Sequence, residues 1–271
     1  MPTVFDEVFA LLTPERILHD ARATGEGVSV ALIDSGVERK VLEDKFRAQG
    51  IEIGPIEGAV FRSDRPDPLP YDGHQSSPHG TTVADIILTL APKVKLYAAD
   101  VFGPQGSTDV DTVIRALQHA VDVWGCKIVN LSLGVPEHRM QQLPRRQQFL
   151  RAVEDGYFKD VLIFAAAHND PLLRSYPAAF VPPLISVDKG ESPDPLQFAY
   201  RLTDPVRVEF EAHARGYLGP FSREPATSWA TPHLAGIAAR ILSLRPGLKP
   251  FEIKTILYWM FRRMSVPAEG A

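Results

Sequence analysis

The 271 residues are 45% hydrophobic and 23% charged with a formal net charge of −4, ordinary values for a globular protein long enough to bury a sizeable core. The charges form no long run of one sign, which argues against a nucleic-acid or anionic-membrane partner, and the basic pair Arg145-Arg146 reads as a solvated loop. A single cysteine, Cys126, excludes an internal disulfide and a thiolate zinc site and is most simply a small buried residue.

Met1 to Leu12 is acidic and mixed and lacks a basic segment leading into a long apolar stretch, so a cytoplasmic location is expected, with a trimmed secreted form as the alternative. No run approaches bilayer-spanning length. Val28 to Ile33 is a β-branched apolar run that ends in Asp34-Ser35-Gly36 and predicts a buried strand and a turn. Thr81 to Leu90 has helical spacing and stops before Pro92. Val94 to Val101 predicts a second strand. Thr108 to Trp124 predicts an amphipathic helix with Val110, Val113, Ile114, Leu117, Ala120 and Val121 on one face. Lys127 to Leu133 and Val161 to Ala167 predict further strands, with a helix over Gln147 to Gly156 between them. Leu184 to Val187 and Val206 to Phe210 are short strand candidates, and Thr231 to Leu244 and Pro250 to Arg262 close the chain as helices.

Strands and helices alternate and the strands are nearly all apolar. This predicts an α/β fold of three layers, a mostly parallel sheet with helices on both faces, in one domain over residues 1–271: an N-terminal segment 1–27, a core 28–262 and a tail 263–271. In such sheets functional groups collect beyond the carboxyl ends of the strands, here after Ile33, Leu133 and Ala167. The Pro- and Gly-rich stretches Arg62 to Pro78 and Ser192 to Pro195 read as surface loops.

Three segments invite chemistry: Asp34-Ser35-Gly36 at a strand end, Ser77-Pro78-His79-Gly80-Thr81 at a helix start, and Ala226-Thr227-Ser228-Trp229-Ala230-Thr231-Pro232-His233 opening another helix. A serine hydroxyl is a poor nucleophile unless a base lies within hydrogen-bond reach and a third group fixes that base's tautomer. Taken singly, Asp34 also reads as a turn residue or cap, His79 as a structural histidine and Ser228 as an N-cap, and spacing alone does not assemble them.

The assembly comes from a resemblance. Ile17 to Gly36, His79-Gly80-Thr81 with Val83-Ala84, Leu90 to Val101, Asn130 to Gly134, Ala166 to Asn169, and Thr227-Ser228 with Ala230, Pro232-His233 and Ala235-Gly236 resemble, in order, the motifs of the subtilase family of serine proteases. The resemblance implies a subtilisin-like fold and a serine endopeptidase. It implies Ser228 as nucleophile, His79 as general base and Asp34 as the partner of the other imidazole nitrogen. Asn169 is then the side-chain donor to the oxyanion, whose removal in this family costs about 100- to 1000-fold in turnover. Ser132, Leu133 and Gly134 are implied to bind an extended peptide or protein substrate as an added strand, with Ala167 and His168 on the same cleft. Thr227 either supports the oxyanion indirectly or is a structural hydroxyl. Gly103 to Ser107 is a weaker candidate for the facing side of the cleft. Pro232 is expected in the first turn of its helix, where a missing N–H is harmless.

No cofactor is implied. Asp72 and Asp100 are candidate calcium ligands in such a fold, without a cluster of ligand spacing. His168 stands where subtilisins usually carry Gly and is expected to narrow or polarise the primary specificity pocket, with Asp170 and Arg174 pulling specificity in opposite directions. Trp229 replaces a usual Met and is expected to crowd the leaving-group side. Thr82, Asp85 and Ala226 replace a His and two Gly residues, and an inhibitory propeptide is not recognisable. A specialised precursor-processing protease is one reading of these departures. A peptide ligase or macrocyclase on the same fold, motivated by the Trp229 crowding, and an inactive peptide-binding pseudoprotease are the alternatives.

Overall fold

The computed structural model describes residues 11–103, 106–201 and 208–265. Its centre, among the described residues, is a nine-stranded sheet built from β1 Ser29–Asp34, β2 Ile56–Val60, β3 Leu69–Pro70, β4 Lys95–Asp100, β5 Ile128–Leu131, β7 Leu162–Ala166, β9 Ile185–Gly190, β10 Phe198–Tyr200 and β11 Phe210–His213. The order across it is β10-β11-β9-β7-β5-β1-β4-β2-β3. The inner seven run parallel, and only the edge strands β3 and β10 pair antiparallel. A separate two-strand ladder joins β6 Val135–Pro136 to β8 Ser175–Tyr176.

The helices are α1 Pro14–Ile17, α2 Arg39–Ala48, α3 Pro78–Leu90, α4 Val110–Asp122, α5 Leu143–Phe158, α6 Thr227–Leu244 and α7 Pro250–Ser265. Alternation along β1 explains the layering. Val30 and Leu32 point into one core with α2, α3, α6 and α7, while Ala31 and Ile33 point into a second core with α4 and α5. Both faces of the strand are therefore apolar, as a parallel sheet covered on both sides requires. Cys126 lies in the second core, where burial pushes its thiol up to about 12.

Boundaries moved where a single residue outweighed periodicity. α3 begins at Pro78 rather than Thr81, because proline at the first helical position is already shaped for the helix. Asp109 caps α4 by accepting from Thr112 N at 2.7 Å, so the helix starts at Val110. α5 is longer than expected at both ends, from Leu143 to Phe158. β5 stops at Leu131, two residues short of the expected end, and β9 runs on to Gly190. The strand expected over Val206 to Phe210 is instead Phe210–His213, and its expected start at Val206 lies outside the described residues. α7 continues to Ser265, three residues into the expected tail, whose remainder lies outside the described residues, as do residues 1–10 of the N-terminal segment.

Pro232 is misplaced by the sequence reading. α6 starts at Thr227, so Pro232 is inside the helix, in its second turn, and its missing N–H falls at a point where a helical hydrogen bond is due.

Candidate active site

The carboxyl ends of β1, β5 and β7 and the amino ends of α3 and α6 meet at one rim of the sheet. His79 is the second residue of α3 and Ser228 the second of α6, so each side chain rides on the first turn of a helix that is otherwise almost wholly buried.

Asp34 ends β1 and is 1% exposed. Its two carboxylate oxygens lie 2.9 and 3.0 Å from His79 Nδ1. Oδ1 also accepts from Ser35 N at 2.8 Å and lies 3.1 Å from Ser35 Oγ. Ser35 is the residue the sequence reading passed over. Its hydroxyl accepts from Gly80 N and from Ser77 Oγ, both at 3.0 Å, and so ties the first turn of α3 to the end of β1. The adjacent aspartate and serine in Asp34-Ser35-Gly36 were the available signal.

Two glycines make that junction. Gly36 turns the chain with φ +76°, a conformation side chains rarely adopt. Gly80 has no room for a Cβ, which would sit 2.0 Å from the Gly36 carbonyl oxygen and 3.2 Å from Asp34 Oδ1. The helix can approach the strand closely enough for the Asp34–His79 hydrogen bond only because position 80 lacks a side chain.

Burial disfavours a charge on the His79 imidazole, but the Asp34 charge and hydrogen bond outweigh it and hold the pKa above the ordinary imidazole value. Because a carboxylate only accepts, Nδ1 carries the proton and Nε2 presents a lone pair. The ring is about one-third exposed, at 31%.

Asn169 lies in the loop after β7 and is exposed. Its Oδ1 accepts from Thr227 N at 3.0 Å, with Thr227 Oγ1 at 3.3 Å. A backbone N–H only donates, so the amide orientation is fixed and Nδ2 faces away from Thr227 with no partner among the described residues. The next N–H along the helix, that of Ser228, likewise has no acceptor among the described residues. Two unspent donors thus flank the candidate nucleophile at the positive end of α6. Lys189 Nζ donates to the Asn169 carbonyl at 2.7 Å and steadies the loop.

Ser228 is half-buried and its Oγ donates to the Ser132 carbonyl at 3.2 Å; His79 is hydrogen-bonded to Asp34 and not to Ser228. The two halves of the site adjoin through Trp229, whose indole lies 4.8 Å from the His79 ring centre to centre. Trp229 is 4% exposed and also packs against Phe221, at 4.9 Å between ring centres. The expectation that it crowds the leaving-group side is therefore overturned: the indole backs the imidazole from within the core.

Ser132, Leu133 and Gly134 follow β5 outside any strand. The backbone N–H and C=O groups of Leu133 and Gly134 have no hydrogen-bond partners among the described residues. Ala167 is buried, and its N–H is taken by the Val187 carbonyl at 2.9 Å. His168 turns back on its own loop, with Nδ1 accepting from Asp170 N at 3.0 Å. Asp170 in turn accepts from Leu172 N, and Arg174 approaches Glu137 at 4.0 Å. Beyond β4, a cavity of about 600 Å³ is lined by Arg62, Arg65, Gly103 and Ser107, and none of Asp34, His79, Asn169 or Ser228 lines it. Residues 104 and 105 of the expected facing segment lie outside the described residues.

The two carboxylates considered for calcium have protein partners. Arg62 and Ser76 donate to Asp100, and Asp72 accepts from His74 N. No group of three or more His, Cys, Asp or Glu side chains suited to a metal ion occurs among the described residues. No helix among them is long and apolar enough to cross a membrane.

A family model described as the subtilase family matches residues 25–192, well over half of the chain. The chain belongs to the subtilase family. The enzyme class that goes with this membership is serine-type endopeptidase. The match contains Asp34, His79 and Asn169 and ends before Ser228. This subtilase is 27% identical over 246 residues to M-protease of Shouchella clausii (strain KSM-K16), covering 88% of the chain and 60% of that protein. It is also 27% identical to Subtilisin Savinase of Lederbergia lenta, covering 88% of the chain and 85% of that protein. Among solved structures it resembles Sphericase (TM-score 0.65, 23% identity, 89% of this chain and 86% of that one). It also resembles a lanthipeptide protease (TM-score 0.63, 20% identity, 99% and 90%). At these identities the structures speak to the fold.

Proposed function

We propose that this subtilase hydrolyses peptide or protein substrates through an acyl-enzyme, with Ser228 as nucleophile, His79 as general base and Asp34 holding the base. The observation that carries the reading is the clamp on Nδ1: a buried carboxylate engages it with both oxygens, which leaves Nε2 as the free basic nitrogen, on a ring that lies against Trp229, the residue after Ser228. In the acylation step the Ser228 hydroxyl turns from the Ser132 carbonyl to Nε2, Oγ bonds to the substrate carbonyl carbon, and the proton passes to His79. Negative charge gathers on the carbonyl oxygen, which accepts from Ser228 N–H and Asn169 Nδ2. His79 then gives its proton to the departing amine as the C–N bond breaks. Water repeats the sequence on the ester, restoring Ser228 and releasing the acid. The substrate lies extended beside residues 132–134, where the open main-chain groups of Leu133 and Gly134 suit an added strand.

The reading extends to a specialised precursor-processing role inside the cell, without a cofactor. Leu172 and Leu173, 83% and 47% exposed, give the rim beside Asn169 an apolar tip that a particular substrate would meet. Two proteins of similar fold are titled a lanthipeptide protease and a prenylagaramide maturation protease. Hydrolysis is preferred over ligation because Trp229 is turned into the core.

The test is covalent labelling with a fluorophosphonate, followed by mass mapping and cleavage profiling in a peptide library. An adduct on Ser228 that is absent in Ser228→Ala, with products that gain water, supports the reading. An unlabelled wild type beside a labelled control protease refutes it, and cyclised products would replace hydrolysis with ligation.

A further inference from the structure

The second turn of α6 contains a defect and its repair. Pro232 has no N–H, and its ring crowds the carbonyl four residues back, so the carbonyl of Ser228 lacks its helical donor. That carbonyl accepts instead from Ser132 Oγ at 2.9 Å. The polarity behind this bond follows atom by atom. A carbonyl only accepts, so Ser132 Oγ commits its one proton there. The same oxygen then receives from Asn130, whose Nδ2 lies 3.0 Å away. Asn130 Oδ1 is left buried with no partner among the described residues, a penalty that the fold accepts in order to hold the amide this way round. In the other direction, Ser228 Oγ donates to the Ser132 carbonyl at 3.2 Å. Ser132 thus grips Ser228 twice, the main chain through its hydroxyl and the side chain through its carbonyl. Asn130 and Ser132 are 0% and 3% exposed, so water does not compete for either bond.

We infer that Ser132 is a positioning residue for the nucleophile: its hydroxyl replaces the helical hydrogen bond that Pro232 abolishes and fixes the distance between the cleft strand and Ser228. This goes beyond the backbone role of residues 132–134 in holding substrate, and it rests on the reading of Ser228 as nucleophile. It also explains how α6 tolerates an internal proline next to the reacting group. The repair comes from a different element, at the end of β5, so the helix and the strand that flank the scissile bond are locked to each other.

The experiment is a double-mutant cycle of Ser132→Ala and Pro232→Ala, with Ser132→Thr alongside. The readouts are the fluorophosphonate labelling rate, kcat and KM on a peptide substrate, and the thermal midpoint of each variant. Ser132→Ala is expected to lower labelling and kcat by roughly 10- to 100-fold with KM little changed, the scale of a nucleophile displaced by up to about 1 Å. Ser132→Thr keeps the hydroxyl and most of the rate. In the Pro232→Ala background the new N–H at position 232 can reach the Ser228 carbonyl, so adding Ser132→Ala is expected to cost less than about 3-fold, a coupling outside additive behaviour. Equal losses in both backgrounds, or no loss in the first, overturn the inference. Should Ser132→Ala fail to fold, Ser132→Cys, a much weaker donor, takes its place in the cycle. A wild type that does not label overturns the nucleophile reading and this inference together, whereas a labelled wild type with an additive cycle overturns this inference alone.

Discussion

Replacing Gly80 with alanine tests the closest approach in the site. The added Cβ would stand 2.0 Å from the Gly36 carbonyl oxygen, backbone against backbone, where no flexible side chain can yield. Relief to the shortest separation that real Cβ atoms tolerate needs a retreat of about 1 Å by the first turn of α3. His79 rides on that turn, and its bonds to Asp34 of 2.9 and 3.0 Å would stretch beyond hydrogen-bonding range. The bond from Gly80 N to Ser35 Oγ would part as well. A displacement of this size costs roughly 100-fold in rate, rising toward roughly 10⁴-fold if the imidazole loses its fixed tautomer. Stability should fall by about 1–3 kcal/mol, the usual effect of overpacking. The assay is kcat and the fluorophosphonate labelling rate, measured below the melting temperature of Gly80→Ala and paired with denaturant unfolding. A folded Gly80→Ala protein with wild-type rates would show that the α3–β1 approach does not set the base, and the account of the junction would fail.

Asp34→Asn removes the charge that raises the His79 pKa and keeps only one amide oxygen as acceptor, so burial, which lowers the pKa, gains the upper hand and the acid limb of the kcat/KM profile should move to lower pH while the plateau drops roughly 10⁴-fold; a limb that stays in place refutes the assigned cause. Asn169→Ala should lower kcat by about 100- to 1000-fold, the loss known for this donor in a subtilisin, with KM nearly constant in steady-state assays; a change confined to KM would make Asn169 a binding residue. Lys45→Met strands the Asp85 carboxylate, which is fully buried and accepts from Lys45 Nζ at 2.5 and 2.7 Å, and should cost about 3–5 kcal/mol at neutral pH by denaturant titration. Burial already holds the Asp85 pKa above its ordinary value against the pull of Lys45, so its contribution to stability is full below the unfolded-chain value and is lost as pH rises through the folded one. The deficit of Lys45→Met should therefore shrink in acid, and a deficit independent of pH would count against the buried charge as its source.

The layering was legible because Val161 to Ala167 is wholly apolar, Val28 to Ile33 is broken only at Ser29, and Lys127 to Leu133 carries Ile128, Val129, Leu131 and Leu133, a density that suits a sheet covered on both faces. The resemblance brought Asp34, His79, Asn169 and Ser228 to one rim, and the structure carries all four there. What the sequence hid were hydrogen bonds between segments far apart in the chain. Ser35 looks like an ordinary turn residue until its hydroxyl meets Gly80 N, and Ser132 like a strand residue until it meets the carbonyl of Ser228. Pro232 was misread for the same reason: propensity puts proline at a helix start, and only a donor from β5's end makes an interior position tolerable. Trp229 was read from its bulk, but its direction is set by the apolar space between His79 and Phe221.

The proposed base, His79, and the proposed nucleophile, Ser228, are mounted on the first turns of α3 and α6, which bears on their behaviour under heat. Both helices belong to the same densely packed core, the part of a protein that opens to hydrogen exchange only when everything does, whereas loops open far more cheaply. On warming, the rim that carries Asn169, Leu172 and Leu173 should loosen first, so selectivity and the side-chain oxyanion donor decay while Asp34, His79 and Ser228 stay in place until the whole fold melts.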